Sequence, residues 1–259
     1  RSGAVRRQAR RAQLHEACLK QATWAVHNCT LRCSESAIPC GNLEEIALKK
    51  PLIAASAVLI ATLSVPAQAI DVVFDYTYDS AGFFTSDKRV VLDQVAQVFS
   101  LNLLDTLTAI TPSGGNTFTA RLYNPQDPFG ATLAINNFSI PENEIRIFVG
   151  SHAFSGQTLG VGGPGFQSVS GSTAFINNGL SRGEPGALTP VETDFGPWGG
   201  SISFGANVNW YFDSDVSTVE GFAGFDFYTV AMHETAHVFG FGTADSCFDA
   251  VVGDTFTGA

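Results

Sequence analysis

One short segment constrains the fold of this chain more than any other feature of its sequence. Residues 233–237 read H-E-T-A-H, and two imidazoles four residues apart can reach one metal ion if the segment is an α-helix, where they share a face. Asp226 precedes the segment and Gly240 follows it, and these residue types favour the first and last positions of a helix. The sequence therefore predicts a helix over residues 227–239 that carries a metal site.

The two histidines of the H-E-x-x-H segment have one predicted role, and the glutamate has another. His233 and His237 are the candidate ligands of a zinc ion, which proteins commonly bind through imidazole nitrogen. Glu234 follows the first ligand, so that it lies beside the metal without binding it and can act as general base towards a metal-activated water. The simpler alternative is a pair of surface histidines on an amphipathic helix.

Charge divides the chain into two parts of different character. The formal net charge of −10 combines residues 1–50, with a net charge of +5, and residues 70–259, with a net charge of −15. The acidic part is long enough for one domain with a substantial core. Its charge argues against nucleic acid as a partner, because phosphate binding requires Lys and Arg.

The boundary between these parts has the pattern of a secretory signal peptide at residues 48–69. Two lysines precede an apolar run, residues 51–65, and a small-x-small site ends at Ala69. The alternative is a transmembrane helix, but a membrane span needs roughly 20 apolar residues and this run is shorter. Cleavage after Ala69 would make Ile70 the N-terminus of an exported protein, either secreted or held at the cell surface.

Residues 1–47 are interpreted as a basic extension that does not belong to the exported protein. Signal peptides begin near the initiator residue, yet this segment precedes Leu48. We therefore expect translation to start at Leu48, from a UUG or CUG codon. The alternative is a genuine, disordered N-terminal extension.

The pattern of apolar residues predicts an α+β domain over residues 70–259. Alternating segments favour strands, and one segment with a broad apolar face favours a helix. A Gly- and Ser-rich stretch is expected to be a surface loop, and a Pro-containing stretch a long connection. We thus expect strands at 70–78, 117–123, 144–149 and 201–204, helices at 86–104 and 227–239, the loop at 156–171 and the connection at 181–200. This order indicates a mixed sheet with one backing helix and one site-bearing helix.

Further residues on both sides of the motif follow a recognisable pattern. Gly240 extends it to H-E-x-x-H-x-x-G, and W-G-G-S-I-S-F at 198–204 and D-F-Y-T-V-A-M at 226–232 precede it. This arrangement resembles matrixins, the matrix-metalloproteinase-like branch of the metzincins, and especially their secreted bacterial relatives. The resemblance implies a zincin-like fold and zinc-dependent endopeptidase activity. It also implies that an antiparallel edge strand pairs with the extended substrate peptide, and we assign that strand to Gly200, Ser201, Ile202, Ser203 and Phe204.

The chain departs from the family pattern at the third metal ligand. Metzincins place a third His six residues after the second, where this chain has Thr243, and no His follows His237 and no Glu follows Glu234. Asp245 is one candidate for the missing ligand. We expect instead that the domain is truncated in this sequence and that a His beyond Ala259 completes the site.

These observations predict a secreted zinc metalloendopeptidase that hydrolyses peptide bonds with Glu234 as general base. Its expected partner is a protein or peptide substrate, with neither nucleic acid nor a membrane span involved, and the protein is expected to be a monomer. Two alternatives remain: a non-catalytic secreted or surface binding protein with a degenerate zincin site, and a metallohydrolase for another substrate class. An acidic stretch before the motif helix is either a calcium site or an ordinary solvated loop; it comprises Asp213, Asp215, Glu220 and Asp226.

Overall fold

A mixed β-sheet of four strands forms the centre of the structure, a computed structural model that describes residues 70–218, 220–252 and 255–257. The extension at 1–47 and the signal-peptide segment at 48–69 lie outside these residues. The elements in chain order are β1 (Asp71–Asp75), α1 (Ser86–Asn102), β2 (Thr117–Leu122), β3 (Leu133–Asn136), β4 (Glu144–His152), β5 (Gly160–Pro164), β6 (Phe166–Ser170), α2 (Thr173–Ser181), a 3₁₀ helix (Pro185–Leu188), β7 (Gly199–Gly205), β8 (Trp210–Tyr211), β9 (Phe225–Asp226), α3 (Phe227–Val238), α4 (Asp245–Asp249), β10 (Val251–Val252) and β11 (Thr255–Phe256).

The central sheet has the strand order β1-β4-β7-β5. Strands β1, β4 and β7 run parallel, whereas β5 pairs antiparallel with β7 and forms one edge. A second sheet, β3-β2-β6, is antiparallel throughout. The predicted α+β class with a mixed sheet is therefore confirmed.

The main core lies between the central sheet and the helices α1 and α3. Ile145, Ile147 and Val149 of β4 are fully buried in one apolar cluster with residues of both helices, as their alternation along the strand predicts. Phe148 points to the opposite face of β4 and joins a second cluster with residues of β2 and Trp198. The central sheet is thus covered by apolar side chains on both faces.

Helix α1 backs the central sheet through a narrower apolar face than the sequence predicted. Val90 and Leu101 belong to the apolar residues of this segment but are 45% and 66% exposed. The helix buries only the residues on one side of its axis, namely Val91, Leu92, Val95 and Phe99.

No helix in the described part of the chain combines the length and the apolar character that crossing a membrane requires.

The stretch at residues 156–171 is not the surface loop that the sequence predicted. It contains β5 and β6, which belong to different sheets. Glycine lowers strand propensity because it loses more backbone freedom on folding and adds no side chain to the packing. Here the pairing of all five residues of β5 with β7 supplies the strand, and such long-range pairing leaves no signal in the local sequence.

The strand expected at the sheet edge lies in the interior of the sheet, so that prediction is wrong. Residues 200–204 belong to β7, which pairs with β4 on one side and with β5 on the other. All seven residues of β7 are buried. Because both rows of its backbone groups are already paired, β7 has no edge to offer to a substrate peptide, and the antiparallel edge strand is β5.

Arg182, directly after α2, attaches the long connection at 181–200 to the rest of the fold. Its side chain is fully buried, and the guanidinium satisfies its N–H groups with backbone carbonyls rather than remaining unpaired. The accepting oxygens belong to Thr108 at 3.0 Å, Glu144 at 2.6 Å, Pro197 at 3.2 Å and Pro141 at 2.9 Å. One side chain thus joins the segment before β2, the start of β4 and the segment before β7.

Candidate metal centre

Helix α3 carries the H-E-x-x-H segment, as the sequence predicted. At its start, the Asp226 carboxylate accepts a hydrogen bond of 2.9 Å from the Thr229 N–H, which confirms the predicted cap. At its end, Gly240 adopts a φ of +94°, and a Cβ added there would lie only 2.8 Å from Cδ1 of Phe195. Only glycine combines this backbone conformation with this close approach, which explains why the helix ends before Gly240.

The two histidines of α3 face each other in a geometry that suits a shared metal ion. Nε2 of His233 and Nε2 of His237 are 3.2 Å apart, and the rings are nearly perpendicular at 88°. Two tetrahedral zinc ligands with Zn–N distances of about 2.0–2.1 Å have nitrogens about 3.3–3.4 Å apart. The observed separation therefore needs almost no adjustment for both nitrogens to bind one zinc ion.

The second ring nitrogen of His237 is held by the chain that follows α3. Nδ1 of His237 lies 2.7 Å from the carbonyl oxygen of Phe241, and a carbonyl can only accept a hydrogen bond. Nδ1 must therefore carry the proton in this contact, which leaves the lone pair of Nε2 directed at the metal position. Such a backbone contact is the usual way in which proteins orient a histidine ligand.

Neither Asp245, the candidate third ligand from this chain, nor Thr243, which occupies the third-ligand position of the family pattern, is a ready third donor. The Thr243 hydroxyl donates to the His237 carbonyl at 2.7 Å and so completes the helix end. Asp245 is exposed at the start of α4. Burial of the Glu192 carboxyl group raises its pKa, and the negative charge of Asp245 raises that pKa further. Within the described ranges, no three His, Cys, Asp or Glu residues form a group that could hold a metal.

The side chain of Glu234, a residue of α3, lies against strand β5. The residue is only 7% exposed, and burial raises the pKa of its carboxyl group to about 7, against the opposing effect of a hydrogen bond from the Gly162 N–H. A carboxyl group with a pKa near neutrality can exchange a proton in either direction at physiological pH. The burial that raises the pKa also holds the side chain in one place.

The acidic stretch before α3 uses its carboxylates within the loop itself. Asp213 accepts from the Asp215 N–H at 2.8 Å, Asp215 accepts from Ser217, and Glu220 accepts from the Thr218 hydroxyl. Asp226 caps α3. These contacts are those of a hydrogen-bonded acidic loop, and calcium binding there stays a prediction.

The structure thus divides the residues that the sequence singled out. It brings His233, Glu234 and His237 together on α3, and it places residues 200–204 inside the sheet. Sequence reasoning missed Gly160 and Gly162, which lie against Glu234. The spacing of these glycines at alternate positions was the one available signal, because alternate residues of a strand face the same side.

The chain matches no protein-family model, no curated protein and no solved structure. The function of the protein must therefore be inferred from the residues of the site and from their geometry.

Proposed function

We propose that residues 70–259 form a zincin-like catalytic domain of a secreted zinc-dependent metalloendopeptidase. His233 and His237 would hold the metal and Glu234 would be the general base. The observation that carries the proposal is the 3.2 Å separation of the two Nε2 atoms, beside a buried carboxyl group whose pKa is raised to about 7. Two surface histidines without a shared function would require neither this separation nor a buried carboxyl group beside them.

The chemistry divides between the metal and Glu234. A bound zinc ion supplies Lewis acidity, which polarises a peptide carbonyl and lowers the pKa of water. Glu234 takes a proton from the attacking water and later returns it to the leaving amine. The positive charge of a bound metal would favour the ionised carboxylate, so Glu234 would be in the basic form in the loaded site.

The substrate chain is proposed to pair with β5 and not with β7. Strand β5 is the antiparallel edge of the central sheet, and it packs beside Glu234 on α3. An extended peptide can add to such an edge through main-chain hydrogen bonds, which need no particular side chains. This placement brings a peptide bond close to the general base, which the interior position of β7 does not allow.

The non-catalytic alternative has one observation in its favour. The Thr243 hydroxyl is engaged with the His237 carbonyl, and no third donor joins the two imidazoles within the described ranges. A protein that kept the fold but lost a ligand would bind zinc weakly or not at all. Metal content therefore separates the two functions before any substrate is known.

Metal content and the activity of a Glu234→Gln variant test the proposal. We expect about one zinc ion per chain and chelator-sensitive cleavage of an unstructured protein such as casein. In Glu234→Gln we expect kcat to fall about 10²- to 10⁴-fold, the usual contribution of general-base catalysis, with zinc still bound. The exposed Glu142→Gln is the matched control and should behave like the parent protein. Unchanged activity in Glu234→Gln would refute the assigned base, and a metal-free, inactive parent would favour the binding protein.

A further inference from the structure

Two glycines of β5 lie directly against the side chain and backbone of Glu234. A Cβ added at Gly160 would be 2.9 Å from Cγ and 3.1 Å from Oε1 of Glu234. A Cβ added at Gly162 would be 2.5 Å from the Glu234 carbonyl oxygen and 2.9 Å from its Cβ. Real Cβ atoms essentially never come within 3.0 Å of such a neighbour. A side chain at Gly162 would therefore push the strand away from the helix, and a side chain at Gly160 would displace the side chain of Glu234.

The two glycines lie against different parts of Glu234. The missing Cβ of Gly162 is nearest to the carbonyl oxygen and the Cβ of Glu234, that is, to the backbone of α3 and the base of the side chain. The missing Cβ of Gly160 is nearest to Cγ and Oε1, beside the carboxylate. One glycine therefore lets the strand approach the helix, and the other leaves the space that the carboxylate fills.

The remaining glycine of the strand shows that this arrangement is local. Gly160 and Gly162 lie on one face of β5, whereas Gly163 lies on the other. A Cβ added at Gly163 meets nothing within 4 Å. The close approach is thus a property of the face turned towards α3 and not of a glycine-rich strand in general.

We propose that Gly160 and Gly162 are positioning residues for the general base. The inference rests on the proposed function of Glu234 and assigns it a support on β5. Gly160 leaves room for the carboxylate, and Gly162 lets the strand approach the helix that carries it. A displacement of about 1 Å in a catalytic group can cost about 100-fold in rate, so these two positions require glycine although glycine weakens a strand.

The two positions act on Glu234 in different ways, which makes Gly160→Ala the sharper probe. An added methyl at Gly160 meets the outer part of a flexible side chain, so that it displaces the carboxylate while the backbone stays in place. An added methyl at Gly162 meets the backbone of α3, so that the whole strand must shift. We expect Gly162→Ala to lower both kcat and thermal stability, and Gly160→Ala to lower chiefly kcat.

A double-mutant cycle tests the proposal. In the zinc-loaded protein, Gly160→Ala should lower kcat about 10- to 100-fold with KM nearly unchanged and with the same zinc content and a similar melting temperature. Combined with Glu234→Gln, Gly160→Ala should cause no further loss, because a residue that acts through Glu234 has no effect once the base is absent. Gly115→Ala, whose added Cβ also meets nothing within 4 Å, should keep the parent activity.

Different failures of this experiment have different meanings. A parental kcat in Gly160→Ala, or an equal loss in the Glu234→Gln background, would overturn the positioning role alone. A change confined to KM would overturn it as well, and Gly162→Ala provides a second position for the same comparison. Absence of zinc-dependent cleavage by the parent protein would overturn the proposed function and this inference with it.

Gly163→Ala, which adds the same methyl to the same strand, should leave zinc content and melting temperature unchanged.

Discussion

The carboxyl groups of Glu184 and Asp194 interact with each other, and the Glu184 carboxyl group is partly buried. The pKa of Glu184 is raised to about 7. Burial is the largest cause, followed by the hydrogen bond and the charge of Asp194 and then by the charge of Asp105. Asp105 and Asp194 also line a cavity of about 260 Å³. In the folded protein, therefore, Glu184 keeps its proton at pH values where the unfolded chain has lost it.

This pair predicts a pH dependence of stability. Since the folded state holds more protons than the unfolded state between about pH 4.5 and 7, the free energy of unfolding should fall as pH rises through this window. Glu184→Gln removes the ionisation, so we expect its melting temperature to exceed that of the parent at pH 8 but not at pH 4. Thermal unfolding at both values measures this, with Glu142→Gln as the exposed control. An equal shift at both pH values would contradict the linkage.

The candidate metal ligands show what a local pattern can predict at this scale. The spacing of His233 and His237 and the presence of Glu234 between them required only a helix, and the helix formed where its cap and its terminal glycine predicted. The tautomer of His237 could not be predicted from the pattern, because it depends on the Phe241 carbonyl. The protonation of Glu234 likewise depends on burial by β5, which is distant in sequence.

The long connection between α2 and β7 is joined to the rest of the fold by the side chain of Arg182. Arg182 donates to carbonyl oxygens from several segments, and a carbonyl that loses its partner in the interior costs about 1–3 kcal/mol. Burial lowers the pKa of Arg182 to about 10, against the opposing charge of Glu144. The guanidinium remains charged at neutral pH and keeps all of its donors.

Arg182→Lys should therefore destabilise the protein although it preserves the charge. An ammonium group has three donors and no planar fork, so it cannot reach all four carbonyls. We expect a loss of about 2–4 kcal/mol in the free energy of unfolding, measured by urea denaturation. Arg121→Lys, at a half-buried position of β2 where the guanidinium bonds the Ser168 hydroxyl at the surface, is the matched control and should change stability by less than about 0.5 kcal/mol. Equal effects of the two changes would show that the carbonyl contacts contribute little.

Strands were predicted well where side chains alternate and poorly where glycine dominates. Strands β2, β4 and β7 lie where apolar residues recur at every second position, and β4 extends three residues beyond the predicted end. Strand β5 (G-V-G-G-P) has no such pattern. Its partner β7 and its contact with α3 determine its conformation, and both are separated from it in sequence by tens of residues.

For the whole molecule, metal binding should be coupled to folding. A ligand that binds only the folded state stabilises it by about 2.7 kcal/mol at a concentration 100 times its Kd. For a domain of this size, that corresponds to about 5–10 °C in melting temperature. We expect zinc to raise the melting temperature of the parent and a chelator to reverse the effect. The double variant His233→Ala and His237→Ala should show no response, and an equal response in that variant would locate the zinc elsewhere.

The sequence alone was sufficient to predict the α+β class, the helix α3 and the position of His233, Glu234 and His237 on that helix. These features depend on contacts within a few residues: a cap, a helical spacing of four and an alternating apolar pattern. The tertiary structure alone decided which strand is the edge of the sheet, which carbonyl orients His237, and which glycines contact Glu234. Those features arise from strand order and from the close approach of β5 to α3, and both depend on pairing between segments that are far apart in the chain.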